Sequence, residues 1–423
     1  MHRPGLSLGL GLLAFLILFH YEIARPAVEA TFTADYGYEA LRWAWLIVPA
    51  GVFAGVAVFN RFAAQVPLLK LLAAAAVASA ALLAALLLAR GGGLRVASYG
   101  LYVFKDVHIV FLVEAFWMLA NAVFQQGAAT WLYGLFCAAG SVGGFAGASV
   151  STWLIQAQGF TTDGVLWTLV GVLGVVAAYA LVLNRGLGDV ARPAPPKAAA
   201  GTPKGDWRDG FRVLGEQKVL AWLLVLVVAT QLLINLVDYQ LNGVVEAAFP
   251  ARDDRTVAMN EVYRWISVGA LAMQVLTGPL LKALKFSPTF LMLPFLVGGA
   301  TVALLVMPRF LTAAVAKVTT KVVDYSLFRA TKEILYLPLG YAQKTQGKAV
   351  IDILGYRSAK AGAAAILFGL GALGVGGGIG VGTACLVLVA VWIAAALAAL
   401  RAWKAAGGDG PAGGARDGAS EAA

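Results

Sequence analysis

Apolar residues run along this chain in long stretches separated by short polar breaks. A stretch such as LLAAAAVASAALLAALLLA at 71–89 carries no charge and reaches the ~18 apolar residues that suggest a helix crossing a bilayer. Segments of this kind fall at roughly 5–28, 41–60, 66–90, 97–125, 131–156, 164–184, 218–246, 260–283, 288–308, 309–341, 348–374 and 379–402. The pattern predicts an all-α integral membrane protein with twelve transmembrane helices. Residues 187–217, between the sixth and seventh segments, are rich in Pro, Gly, Lys and Arg, the composition of a linker. The expected organisation is an N-terminal six-helix half over 1–186, a cytoplasmic linker over 187–217 and a C-terminal six-helix half over 218–403. A Gly/Ala-rich tail over 404–423 is expected to be disordered. The first segment begins like a signal peptide, with Arg3 before an apolar run. Tyr21, Glu22 and Arg25 then continue it without a prompt small-residue cleavage site, so it reads as a retained first helix.

Composition agrees. Apolar residues make up 60% of the chain and charged residues 13%, against about 45–50% and 25% in soluble domains. Cys137 and Cys385 both lie in apolar runs, and His2, His20 and His108 are scattered. Neither a disulfide framework nor a metal site is expected. The formal charge of +10 does not argue for nucleic acid, because the surplus Lys and Arg sit mostly in short loops on one side. That side holds Arg61, Lys70, the linker cations, Lys282, Lys285, Lys344 and Lys348. The other holds Arg90, Arg95, Arg252, Arg255 and Arg309. The bias predicts a multi-pass protein with both termini cytoplasmic, with Arg90 and Arg95 against it.

VEATF at 28–32 returns as VEAAF at 245–249, 217 positions on, and each is read as closing the outer end of its half's first helix. Lys105 and His108 are echoed by Lys321 and Asp324, at 216 positions. Two echoes at nearly one offset support an internal duplication, as in transporters that bind substrate near the midplane between parallel halves.

The tenth segment contains KVTTKVVDYSLFRATKEILYLPLGY at 317–341, with four cations and two carboxylates. A charge at the bilayer centre costs about 2.5–3.5 kcal/mol, so this face cannot meet lipid. At 100° per residue, Lys317, Lys321, Asp324, Thr331 and Lys332 share one arc, and Arg329 and Glu333 widen it. The seventh segment places Gln231, Asn235, Asp238, Tyr239, Asn242 and Glu246 on one stripe. The first aligns Tyr21, Glu22, Arg25 and Glu29. In the fourth, Glu114, Asn121 and Gln125 align, while Lys105 and His108 point elsewhere and nearer the outer end. Arg357 and Lys360 add positive charge in the eleventh segment. A hydrated, anion-selective cavity follows, lined by helix 10.

Blander readings stand beside this one. Asp324 and Glu333 fit either a substrate role or simple neutralisation of neighbouring cations. Lys105 and Asp106 equally fit an interfacial position, and Arg25-Pro26 fits a kinked helix end with a snorkelling arginine. AGSVGGFAGA at 139–148 has the small-residue spacing of close helix packing rather than phosphate binding. QGKA at 346–349 lacks the glycine spacing and the Ser/Thr of a P-loop. No catalytic Ser-His or Cys-His set can be assembled, so no enzyme is expected.

KVVDYSLFRATKEILYLPL at 321–339 followed by GKAVIDILGYRSAKAG at 347–362 resembles the nucleotide (ATP/ADP) translocases of plastids and bacteria. INLVDYQLN at 234–242 and LVEAFWMLAN at 112–121 resemble that family's helices 7 and 4. The resemblance implies a major-facilitator-like fold that exchanges nucleotides across a bacterial inner membrane, without an energy-coupling ATPase domain. It places the family's key acids on Glu114 and Asp238 and a key lysine on Lys360. Members that exchange ATP for ADP tend to carry a lysine shortly after the helix 1 arginine, whereas ARPAVEA offers only Arg25.

The expected substrate set is Arg25, Glu114, Asn235, Asp238, Asn242, Lys321, Arg329, Lys332, Arg357 and Lys360. Lys321, Lys332, Arg357 and Lys360 would hold phosphates. Asp238, Asn235, Asn242 and Glu114 would hold ribose or base, or pair with the cations when the site is empty. An empty site dense in cations would be costly to close, which favours exchange. A monomer in the lipid bilayer, taking a nucleotide or another anionic small molecule without cofactor or metal, is expected. The alternative is a proton-coupled transporter of another organic anion, with Asp238 or Glu114 titrating.

Overall fold

The computed structural model describes residues 4–63, 65–124, 126–187 and 207–408. Its helices in the first half are α1 (Pro4–Tyr36), α2 (Leu41–Ala63), α3 (Leu68–Gly91), α4 (Ala97–Val123), α5 (Gln126–Gln156) and α6 (Thr162–Leu187). There follow α7 (Trp207–Glu216), α8 (Lys218–Ala248), α9 (Arg252–Leu284), α10 (Phe286–Val306) and α11 (Phe310–Val323). The chain ends with α12 (Arg329–Leu335), α13 (Tyr341–Ile351), α14 (Ala359–Ala372) and α15 (Gly378–Ala405). Each predicted apolar segment falls on helical chain. Among the described residues, nine helices are long and apolar enough to cross a membrane. The segments outside that set are α4, α11–α12 and α13–α14, which hold many of the buried or paired charges.

The boundaries differ from the hydropathy reading in informative places. Arg25-Pro26 does not end a helix, since α1 continues for ten residues past Pro26 to Tyr36. Proline is tolerated inside a membrane helix where its surroundings re-satisfy the backbone group freed by its missing N–H. VEATF therefore lies inside α1, whereas VEAAF closes α8 as expected. α9 starts at Arg252 rather than 260, because its first turns carry Arg252, Asp253, Asp254 and Arg255 and fall below any apolar threshold. The tenth segment stops at Leu335 instead of 341. The expected linker contains the helix α7, which lays Val213 and Leu214 into the interior and packs on α8 and α13. Residues 188–206 of that linker, 409–423 of the expected tail, and Gln125 lie outside the described residues. Lys404, assigned to the tail, is in α15.

Lipid supplies little hydrophobic drive for helices to associate, so packing contacts must hold them together. The small-residue run of α5 does this against α1. A β-carbon on Gly143 or Gly147 would come within 2.3 and 2.2 Å of the Phe15 and Phe19 carbonyl oxygens. The two backbones touch there, and only glycine fits.

Across the halves, α2 packs on α14, α5 on α9 and α1 on α9. If the second, fifth, eighth and eleventh predicted segments are paired by a duplication, the first two of these contacts map onto each other. This correspondence is what a duplication would produce, but the α1–α9 contact has no comparable counterpart between α8 and α2. The end where α1 and α8 finish is termed distal, and the end where α6 finishes and α8 begins is the linker end.

Polar contacts join the halves at the distal end. Arg252 donates to Asp163 at 2.7 Å, the Thr162 N–H donates to Asp253 at 2.7 Å, and the Tyr38 N–H donates to Glu246 at 2.6 Å. Arg90 joins the same network through Asp35 at 2.8 Å and Asp163 at 2.9 Å. Its charge is therefore spent on structure, and this explains why it opposed the loop bias.

Candidate substrate site

Deeper between the halves lies a cluster of charges. Lys105 of α4 reaches Glu29 of α1 at 3.4 Å and Asp106 at 3.1 Å. Glu29 also accepts from the Tyr263 hydroxyl at 2.8 Å and lies 3.6 Å from Arg25. The Arg25 guanidinium stacks 4.1 Å from the Tyr263 ring. Across the halves Asp106 pairs with Lys360 of α14. Within the C-terminal half, Asp238 of α8 pairs with Lys317 of α11. The ring of Tyr102 supports two of these cations, with the Lys105 ammonium 4.0 Å and the Lys360 ammonium 5.4 Å from its centre. Buried charges persist when they are paired and hydrogen-bonded, and here Arg25, Lys105, Lys317 and Lys360 share the carboxylates of Glu29, Asp106 and Asp238.

The cluster is sealed on its distal side and wet on the other. Side chains of Glu29, Lys105 and Lys317 are each 1% exposed. Nearer the linker end, Arg357 lies 3.5 Å from Glu114 across the halves, and these side chains are 32% and 47% exposed. Together with the distal contacts, this gradient describes a cavity that opens toward the linker end.

The tenth segment is not the single straight helix that 100° arithmetic assumes. A π turn at Asp324–Phe328 separates α11 from α12, and a second π turn at Asp352–Arg357 precedes α14. Each π turn widens the helix and rotates everything beyond it. The expected arc from Lys317 to Lys332 is therefore broken. Lys317 and Asp324 turn inward, with Asp324 accepting from Gln231 at 2.9 Å. Lys332 is buried against the second π turn, 3.2 Å from the Tyr356 hydroxyl and 3.9 Å from Asp352. Glu333 pairs with Lys348 at 2.7 Å. Tyr325 and Arg329 instead face open space.

Between them lies a cavity of about 340 Å³, walled by both halves and lined by Tyr21, Glu22, Trp117, Gln274, Tyr325 and Arg329. Lys321 and Arg329 flank Tyr325, their charges 5.2 and 5.6 Å from its ring centre. Among the described residues neither forms an ion pair with a carboxylate.

The predicted set thus divides. Arg329 lines the cavity and Lys321 stands across Tyr325 from it, and Glu22 is the carboxylate in the same wall. Arg357 and Lys360 face the centre but are tied to Glu114 and Asp106. Arg25 is stacked inside the sealed cluster, and Lys332 is held within its own half. Asp238 faces Lys317. The amides of Asn235 and Asn242 donate to their own helix, at Gln231 O (2.8 Å) and Asp238 O (2.9 Å). Lys105 and Asp106, for which the sequence leaves an interfacial reading open, are buried and paired in this cluster, and Glu29, Lys317 and Tyr263 join it from outside the expected set. The duplication offset pointed at Lys105, but no spacing argument pairs residues on different helices. His108 makes a buried contact to Phe104 O at 2.7 Å, and among the described residues no cluster could hold a metal.

The chain matches the TLC ATP/ADP transporter family over residues 95–318 and 299–402. It is 26% identical to ADP,ATP carrier protein 1 of Chlamydia trachomatis across 88% of this chain and 83% of that protein. It is equally 26% identical to ADP,ATP carrier protein 1 of Chlamydia pneumoniae, but there it spans only 63% of the relative's length and 68% of its own. In fold it is similar to the solved nucleoside transporter NupG, with a TM-score of 0.67 at 11% identity over 94% of this chain and 99% of that one. With the match covering most of the chain, it belongs to the TLC ATP/ADP transporter family, a family of nucleotide-exchange transporters.

Proposed function

We propose that this chain exchanges nucleotides across a cell membrane through the central cavity, with Lys321 and Arg329 as its first phosphate contacts. The observation that carries this assignment is the contrast among the cations. Those of the neighbouring buried cluster are paired with carboxylates, whereas Lys321 and Arg329 flank an exposed tyrosine and, among the described residues, lie in no ion pair. An anionic ligand supplies the missing partner through charge-assisted hydrogen bonds.

Exchange rather than one-way flow follows from what the empty site does with its charge. The expectation that empty cations repel each other and resist closure does not match the pairing around them. Instead, Lys360–Asp106 and Arg357–Glu114 tie the two halves together in the middle of the protein. A phosphate that competes for Lys360 and Arg357 loosens these ties and allows the halves to rock. Without a ligand the ties re-form, and the empty carrier stays where it is. Alternating access then needs a ligand in each direction. Lys332 and Asp238 act as structural counter-charges in this scheme, and Glu114 acts as a latch.

A native reporter tests the site. Cys137 is exposed and lines the cavity, while Cys385 is buried. A membrane-impermeant maleimide should therefore label Cys137 from the linker side, and ATP or ADP should slow that labelling several-fold. Labelling unaffected by any nucleotide, in protein shown to be folded, would remove the cavity from the account.

A further inference from the structure

We infer that Glu22 and Gln274 are the residues that read the base of the transported nucleotide, by accepting hydrogen bonds from its exocyclic amino group. The inference rests on the nucleotide-exchange reading above and assigns a subsite within it. The cavity's volume of about 340 Å³ lies at the small end of the ~300–1,000 Å³ typical of ligand pockets. It suits a nucleoside rather than a whole triphosphate. With Arg329 in its wall and Lys321 across Tyr325, the phosphates extend past that tyrosine and the nucleoside occupies the space behind it. Tyr21, Trp117 and Tyr325 line that space and offer faces for a flat heterocycle, since base–aromatic stacking tolerates any base.

Discrimination must then come from polar atoms. Glu22 Oε2 and Gln274 Oε1 are both buried and both lack a hydrogen-bond partner. Gln274 has already committed its amide N–H to Ser141 at 3.2 Å. Both residues line the cavity, one from α1 and one from α9, so the halves contribute one acceptor each. Room for Glu22 is built in, because a β-carbon on Gly144 would come 3.1 Å from Glu22 Cγ. The Gln274 amide oxygen can only accept, Glu22 Oε2 accepts in its ionised form, and a buried acceptor left unpaired is costly. The ligand group that satisfies both is a donor. An amino group carries two N–H bonds, while the oxo group that replaces it in hypoxanthine or uracil carries none.

The test is competition in proteoliposomes loaded with ADP, following uptake of labelled ATP. The competitors are unlabelled ATP, ITP, CTP, UTP and 2′-deoxy-ATP. ITP and UTP should compete roughly 10- to 100-fold more weakly than ATP and CTP, and 2′-deoxy-ATP should match ATP. Glu22→Gln adds a donor and should narrow the ATP/ITP ratio, as should Gln274→Leu. Each variant is first checked for monodispersity in detergent. ITP competing as well as ATP would overturn the inference while leaving exchange intact. Loss of 2′-deoxy-ATP in place of ITP would also overturn it, assigning the acceptors to the ribose. Unchanged ratios in both folded variants would do the same. If labelled ATP enters under no loading, the exchange reading fails and this assignment falls with it.

Discussion

Lys317→Met is expected to cost the protein more stability than any other single change to its charges. Lys317 and Asp238 pair inside the C-terminal half with side chains 1% and 7% exposed. Removing one member of a buried pair strands the other, at a cost of about 3–5 kcal/mol. Methionine fills the space of the lysine stem but leaves the Asp238 carboxylate facing it. Thermal unfolding in detergent should show a large drop in midpoint, or little recoverable protein. Adding Asp238→Asn should restore much of the loss, because the stranded charge disappears with it. A single variant as stable as the parent would mean that Asp238 is served by another cation, and that the pair does not join α8 to α11.

The second large effect should appear in transport with little change in stability. Among the described residues Lys321 and Arg329 form no ion pair with a carboxylate, so Lys321→Gln and Arg329→Gln break none. Each change removes a charge-assisted contact to phosphate, of order 1.5–3 kcal/mol, or roughly a 10- to 150-fold weaker apparent affinity. The double variant should show no measurable nucleotide uptake while unfolding at the parental temperature. Full transport by the folded double variant would move the phosphates elsewhere, to Arg357 and Lys360. These two cations therefore separate a binding role from the structural role of Lys317, although all three lie within thirteen residues of one segment.

That separation was not legible in the sequence. The apolar runs marked the helices because a bilayer forces long uncharged stretches. Charge cost then showed that the tenth segment faces protein or water. The rotation of its residues could not be read, since a π turn leaves no period in the hydrophobic pattern. Lys332 was thus placed on the same arc as Lys321, when it turns away to Asp352. The polar start of α9 was missed for the opposite reason. Arg252 and Asp253 look like a loop until their partners Asp163 and Thr162, about ninety residues earlier, come into contact with them. The interfacial reading of Lys105 and Asp106 stayed open because their partners, Glu29 and Lys360, lie on other helices. The motifs shared with nucleotide translocases carried the family reading further than the charge pattern could, and the match over most of the chain agrees with it.

Counterflow tests the central claim most directly. Purified protein in proteoliposomes would be given labelled ATP outside, with ADP inside one set of vesicles and buffer alone in another. The account predicts rapid uptake into the ADP-loaded vesicles and almost none into the empty ones, because an empty carrier is held by Lys360–Asp106 and Arg357–Glu114. Uptake that proceeds equally into empty vesicles, or that follows a pH gradient instead of the internal nucleotide, would contradict it.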